Sequence, residues 1–432
     1  MSNCGSPLSN DVMIQRIKGT QDILPGKVEK WRFLEETARD LFARYGYAEI
    51  RTPVFEETEL FARSIGGDTD IVQKEMYTFI DKGDNSVTLR PEGTAPVVRA
   101  CIEGNLLAAS GTLKLYYMGP MFRYERPQKG RLRQFHQIGA EVLGSDSPRI
   151  DAEVMEMLVQ FLDELQIRSY RLAINSIGCS RCRPQYLDVL RTEISRILPY
   201  LCADCRRRAA TNPLRVLDCK VEADQPHIDS LPASFKYLCE ECRSHFLEVR
   251  RSLDASGIPY GVTHRLVRGL DYYEKTTFEI TSEALGAQNA LLGGGRYDGL
   301  SQNIGGPAAP GFGFALGEER FMLALPDKTE AAASAQVCLA PLGVECLDFA
   351  ARLASELRRR KVSVLLEFEP RSLKAQLRQA DRKKIPLVIL FGSEELASNQ
   401  VQCRNMQTGT QTGVPSDTEQ ILRFIQAEGK GK

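Results

Sequence analysis

Residues 115–144 read LYYMGPMFRYERPQKGRLRQFHQIGAEVLG, two strand-like runs joined by a polar turn centred on Pro127 to Gly130. This pattern predicts a long β-hairpin. In the second run Ile138, Ala140 and Val142 alternate onto one face and suit a core, whereas Phe135, Gln137 and Glu141 share the opposite face. Arg123, Arg126, Lys129, Arg131 and Arg133 place five cations in eleven residues around the turn. An aromatic, an amide, a carboxylate and nearby arginines pack poorly against a core. Together they suit an anionic ligand that also carries an amino group. The plain alternative is an exposed hairpin with a solvated run of charge.

Outward from the hairpin, a chain of 432 residues corresponds to about three domains. Lys plus Arg and Asp plus Glu each total 56, so the formal net charge is zero. That excludes a uniformly basic nucleic-acid coat but leaves room for a local basic patch. The longest apolar run, about Ile385 to Phe391, falls far short of the ~18 residues of a membrane helix. MSNCGSPLSNDVMIQ at the N-terminus lacks the charged-then-apolar pattern of a secretory signal, so a cytoplasmic protein is expected. Residues 1–12 are expected to be mobile.

Trp31, Leu34, Ala38, Leu41, Phe42 and Tyr45 recur at helical spacing and predict a helix from about Lys27 to Tyr45, ended by Gly46. A second helix is predicted from near Gly93, a third over 151–165, and strand-like text at Leu266 to Ile280 and Gly311 to Leu316. Residues 326–335, PDKTEAAASA, read as a linker. Beyond it, strand, helix, strand, helix and strand follow in turn between Val337 and Phe391, the pattern of a parallel α/β unit.

Seven of the twelve cysteines fall between Cys179 and Cys242, and six of those form the C-x-x-C pairs 179/182, 202/205 and 239/242. In a cytosolic chain this spacing points to metal or redox chemistry rather than a disulfide scaffold. Cys179, Cys182, Cys202 and Cys205 have 19 residues between the pairs, inside the window for a structural zinc site. Cys219 and the 239/242 pair leave open which two C-x-x-C pairs supply the ligands. Small buried free cysteines are the alternative.

The segment 115–144 resembles the second signature motif of class II aminoacyl-tRNA synthetases, in the form found in histidyl-tRNA synthetases. KGTQDILP (Lys18 to Pro25), LRPEGTAP (Leu89 to Pro96), VRGLDYYEKTTFE (Val267 to Glu279), GGGRYDGL (Gly293 to Leu300) and GFGFALGEER (Gly311 to Arg320) resemble further blocks of that family, in order. The resemblance covers nearly the whole chain and is weakest in the Cys-rich region. It implies an α+β class II synthetase catalytic core, an antiparallel sheet flanked by helices, in residues 1–177 and 256–325. A Cys-rich insertion occupies 178–255, the linker 326–335, and a C-terminal α/β anticodon-binding domain 336–432. The implied reaction joins L-histidine to ATP, taken with Mg²⁺, as histidyl-adenylate plus pyrophosphate, and then charges tRNA(His). Such chemistry needs positioning and charge neutralisation more than covalent help.

On this resemblance Arg123 holds the α-phosphate and the attacking carboxylate, and Arg268 stabilises the charge that builds up in the transition state. Phe135 stacks under adenine with Arg320 above it, and Arg131 and Arg133 meet the ATP phosphates. Arg320 falls where a helix starts, a poor place for a cation that Glu318 and Glu319 partly offset. Glu92, Gly93 and Thr94, with Gln137, bind the α-amino end of histidine, and Glu141 and Tyr273 bind the imidazole. Residues 137 and 141 share a face ~13 Å apart, which suits opposite ends of one ligand. Tyr272 and Tyr297 fit either the pocket or simple packing, and Gly293 to Gly295 let the backbone approach the substrate. Gln128 and Lys129 meet the tRNA acceptor end, and a zinc-bound insertion would lie rigid against the acceptor arm without entering the chemistry. His136 and His264 read as structural. Pro53 in YAEIRTPVFE matches the motif that pairs two protomers, so a homodimer is expected.

Three rival readings fit the sequence less well. A synthetase-like regulatory subunit of histidine biosynthesis lacks the anticodon domain and erodes the arginines, all of which are present here. A class II synthetase for glycine, proline or threonine should lack RGLDYYEKT. A zinc-dependent nucleic-acid-binding protein explains the cysteines and leaves the arginine blocks idle.

Overall fold

The predicted hairpin forms over its full length, Leu113–Phe122 pairing antiparallel with Gln134–Leu143 from Leu113 opposite Leu143 to Phe122 opposite Gln134. The computed structural model describes residues 13–67, 69–109, 111–128, 130–285, 289–326, 335–369 and 371–429. The expectations for residues 1–12, for Lys129 and for most of the linker lie outside the described residues.

The hairpin sits inside an eight-stranded sheet. Gly311–Gly317 pairs with its returning strand, then Ala290–Arg296, Glu274–Thr281, Arg171–Ser176 and Gly261–Val262 follow outward, and Ala48–Glu49 closes the other edge. Pairing is antiparallel except at the two edges, where Ala48–Glu49 and Gly261–Val262 run parallel to their neighbours. One face is covered by the helices Val28–Arg44, Pro148–Glu164 and Glu240–Ala255. Ile138, Ala140 and Val142 point into that core, as their alternation requires, and meet Leu34, Phe42 and Phe161. The opposite face holds Tyr117, Met121, Tyr273 and Tyr297 in a second apolar layer, with helix Thr94–Glu103 and the insertion packed on it. Polar groups that cannot join the first core are thereby gathered on one side of the sheet.

One strand is shorter than its sequence suggested. Residues 266–273 form turns and the strand begins at Glu274, so Arg268 to Tyr273 stand on a loop beside the sheet. The insertion is helical, with Arg183–Ile197, Ala203–Thr211 and Glu240–Ala255 as its longest segments. The last of these belongs to the main core: its Phe246, Val249 and Leu253 pack under the sheet.

A separate compact unit contains the C-terminal residues. Val364–Leu366, Val337–Pro341 and Leu387–Phe391 pair in parallel, with helices Leu347–Arg359 and Leu373–Arg382 as the crossovers. A hairpin of Gln400–Asn405 and Gln411–Pro415 then extends the sheet antiparallel, and helix Thr418–Gly429 ends the fold. No helix among the described residues is long and apolar enough to cross a membrane.

Candidate active site

Toward its turn, the second face of the hairpin forms one wall of a cleft of about 260 Å³. Arg123, Arg131, Phe135 and Gln137 come from the hairpin, Arg268 from the loop before Glu274, and Arg320 from the helix Glu318–Ala324. Residues distant in sequence thus converge as expected. Arg123 Nε donates to the Pro91 carbonyl at 2.8 Å, and its guanidinium lies 5.3 Å from the centroid of the Phe135 ring. Arg320 donates to the Ala290 carbonyl at 2.7 Å, which ties it to the sheet rather than leaving it in solvent. Burial, with Arg131 close by, lowers the Arg320 guanidinium from its ordinary value.

Arg268 donates from Nη1 to Glu279 Oε2 at 2.9 Å, while its Nε is buried without a hydrogen-bond partner. Glu279 was not singled out from the sequence. Its alternation was nevertheless readable, because Phe278 and Ile280 enter the core and leave Glu279 on the cleft face. A Cβ at Gly293 would stand 2.4 Å from Arg268 Nη1, so the glycine admits the guanidinium. Gln137 lines the cleft as a buried residue, and its Oε1 is enclosed without a hydrogen-bond donor.

Glu141, Tyr272, Tyr273 and Tyr297 do not line this cleft; they form a buried cluster on the same side of the sheet. Thr94 Oγ1 donates to Glu141 Oε1 at 2.7 Å, and the Tyr297 hydroxyl donates to Oε2. Burial pushes the Glu141 carboxyl up to about 8. The Tyr272 and Tyr273 ring centroids are 4.7 Å apart, and Tyr272 meets Tyr297 edge-on at 5.7 Å. Tyr297 is therefore a hydrogen-bonding member of the cluster and not packing alone.

Glu92 is buried, and its two oxygens accept the amides of Thr94 at 2.7 Å and Ala95 at 2.9 Å at the start of helix Thr94–Glu103. Burial raises its carboxyl. Gly93 leaves room for the Tyr117 ring, which a Cβ there would approach to 2.2 Å. Tyr117 went unnoticed in the sequence because it reads as one more apolar strand residue.

Arg133 is a correction. It is absent from the cleft lining, and its guanidinium stacks 3.9 Å from the Tyr124 ring centroid. Its backbone is held by Gly19, whose carbonyl accepts the Arg133 amide at 2.7 Å, and this turns the side chain away. Gln128 lies in the hairpin tip, bridged to Arg131. His136 takes a structural place: its amide and Nδ1 both contact Glu319, at 3.0 and 3.1 Å.

The cysteines require a second correction. Cys179 and Cys182 do not meet Cys202 and Cys205. The first pair gathers with Cys239 and Cys242, and the second with Cys219 and Asp224. An insertion must leave and re-enter the core at neighbouring points, and this brings its first and last C-x-x-C pairs together.

A histidyl-tRNA synthetase family model matches residues 19–197 and 221–320, and an anticodon-binding domain model matches 336–428. The chain belongs to the histidyl-tRNA synthetase family. It is 52% identical over 409 residues to a histidine–tRNA ligase of Geobacter metallireducens, covering 95% of this chain and 99% of that one. A histidine–tRNA ligase of Solibacter usitatus is 50% identical over 406 residues, 94% of this chain and 97% of that one. The apo histidyl-tRNA synthetase of S. aureus superposes with a TM-score of 0.80 at 37% identity, over 95% of this chain and 99% of that chain. Residues 198–220, between the matched blocks of the family model, contain Cys202, Cys205 and Cys219.

Proposed function

We propose that the cleft takes ATP and L-histidine together, forms histidyl-adenylate and pyrophosphate, and passes the histidyl group to the terminal ribose of tRNA(His). The observation that carries this reading is the meeting of Arg123, Arg268 and Arg320 in one cleft on the face that buries Glu141 among three tyrosines. A carboxylate oxygen of histidine attacks the α-phosphorus of ATP. The acyl-phosphate bond forms as the bond to the bridging oxygen breaks, and pyrophosphate leaves with that electron pair. A ribose hydroxyl of the tRNA then attacks the acyl carbon and releases AMP.

Arg123 and Arg268 neutralise the charge shared by carboxylate and α-phosphate, with Arg268 held in place by Glu279. Phe135 and Arg320 hold adenine between them, and Arg131 meets the outer phosphates. Gln137, with Glu92 and Thr94, receives the α-ammonium, which would supply the donor that the buried Gln137 Oε1 lacks. Glu141 and Tyr273 meet the imidazole, and an N–H donor beside Glu141 supplies what burial withholds from that carboxyl. ATP would enter as its Mg²⁺ complex, and Glu125 and Glu279 along the cleft would be the hard oxygen donors for that ion, which would neutralise phosphate charge.

Gln128 and Lys129 meet the acceptor end of the tRNA and residues 336–432 its anticodon. Catalytic core, insertion at 178–255 and anticodon-binding domain divide the work in that order. Two chains pair through the segment after Pro53, where Val54, Phe55, Phe79 and Ile80 are exposed. On this reading the protein works in the cytoplasm. Charging of unfractionated tRNA with labelled histidine, glycine, proline and threonine tests it. Histidine alone should be incorporated, and incorporation of another of the four in its place overturns the reading.

A further inference from the structure

The strand Arg171–Ser176 runs out of the core into Cys179, and Cys239 stands at the start of the helix Glu240–Ala255 that returns the chain. The Sγ atoms of Cys179 and Cys182 are 3.8 Å apart, those of Cys179 and Cys239 3.9 Å, and those of Cys182 and Cys242 3.8 Å. A disulfide needs about 2.05 Å. Four thiolates each ~2.3 Å from one tetrahedral zinc stand about 3.8 Å from one another, by the geometry of the tetrahedron. The observed edges match the metal site and not the disulfide. The Cys179 amide donates to Cys182 Sγ at 3.3 Å, and Gly178 leaves the space that a Cβ would fill 2.8 Å from that sulfur.

A second group lies deeper in the insertion. Cys202 and Cys219 have their sulfurs 4.0 Å apart, Cys219 Sγ is 3.3 Å from Asp224 Oδ2, and the ligand atoms of Cys202, Cys205, Cys219 and Asp224 all lie within 4.8 Å of one another. Asp224 is oriented by the Cys202 amide, which donates to both carboxylate oxygens at 3.1 and 3.0 Å. The Val221 amide donates to Cys219 Sγ at 3.4 Å. Cys205, Cys219 and Asp224 are buried, so the ligand atoms face one another rather than solvent.

We propose that the insertion carries two separate structural zinc sites, one at Cys179, Cys182, Cys239 and Cys242, the other at Cys202, Cys205, Cys219 and Asp224. Both are closed, with four protein ligands and no open position, so neither takes part in the reaction. The first clamps the two ends of the insertion together. Arg183, next to Cys182, donates to the Tyr273 carbonyl at 2.6 Å and to the Gly178 carbonyl at 3.2 Å. The clamp therefore also fixes the main chain that presents Tyr272 and Tyr273. The second site closes the insertion on itself. Soft thiolate sets of this kind select zinc over magnesium or calcium.

Metal analysis of the full chain, purified without chelator, tests the proposal. Wild type should hold about two equivalents of zinc, and Cys242→Ser and Cys205→Ser about one each. Less than about a tenth of an equivalent in wild type, iron in place of zinc, or a single equivalent lost equally in both variants overturns it. Zinc X-ray absorption on wild type needs no variant to fold. It should report seven sulfurs and one oxygen over two ions, and a nitrogen-rich shell contradicts the assignment.

Discussion

Arg268 reaches the cleft from a loop, with one nitrogen on Glu279 and another buried without a partner. Such a group gains most when charge develops beside it. Arg268→Ala should lower the rate of adenylate formation by roughly 10²–10³ while histidine binding changes little. Single-turnover adenylation with a binding titration checks this; near-normal turnover makes Arg268 structural. Glu141→Gln should instead weaken histidine binding if the imidazole meets this buried cluster as proposed, since the carboxyl's partners are then mismatched. Histidine KM and kcat both within twofold of wild type would place the imidazole elsewhere. Glu318, buried near Glu35 and Glu319, has its carboxyl pushed up by burial to about 9. The folded chain thus keeps a proton that the unfolded chain releases above 4.5. Its stabilising contribution is complete below that value and is lost as pH rises through about 9. Glu318→Gln should therefore gain on wild type by up to about 1.4 kcal/mol per pH unit between about pH 5 and 8. Urea unfolding at both ends of that window checks it, and a constant difference contradicts it. At this scale Arg123, Gln137 and Arg268 were legible, because their chemistry is unsuited to a core, and Phe135 through the dense motif around it. The Tyr124 stack of Arg133 and the bond from Tyr297 to Glu141 were not, since each depends on which distant segment packs alongside.

The elements are joined by a buried charge cluster that no local pattern announces. Arg296 and Asp151 are fully buried; Arg296 Nε donates to Asp151 Oδ1 at 3.2 Å and its Nη1 to the Ser145 carbonyl at 2.9 Å. His245 Nε2 lies 2.9 Å from Asp151 Oδ2, so the strand Ala290–Arg296 and the helices Pro148–Glu164 and Glu240–Ala255 share one carboxylate. Asp151→Ala removes the fully buried one of the two carboxylates paired with Arg296, leaving Asp298 at 3.1 Å, and should cost about 3–5 kcal/mol. Denaturant unfolding measures that, and a loss below about 1 kcal/mol would mean that neighbours such as Asp298 take over. Helices such as Val28–Arg44 were legible to within a residue or two, because a single apolar stripe fixes both period and length. The loop at 266–273 reads as strand because Val267, Tyr272 and Tyr273 are strand formers, a preference that packing context overrides here. The cysteine grouping stays open in the sequence, because spacing does not say which ends the fold brings together; the fold joins the first and third pairs.

At the scale of the molecule, the C-terminal residues form a compact unit with a core of their own. Deleting 336–432 should therefore spare adenylate formation far more than tRNA charging, and equal loss of both would assign the unit to folding or pairing. The order of blocks along the chain made the architecture readable, since the motifs announce one face of one sheet. What they left out was the antiparallel hairpin at 400–415, whose polar, half-exposed strands carry little periodic signal. On this reading one cleft both selects histidine and activates it with ATP. ATP–pyrophosphate exchange with each standard amino acid in turn tests this most directly. Exchange should depend on histidine and stay at background with every other amino acid; equal stimulation by another amino acid, or no exchange with histidine, contradicts the account.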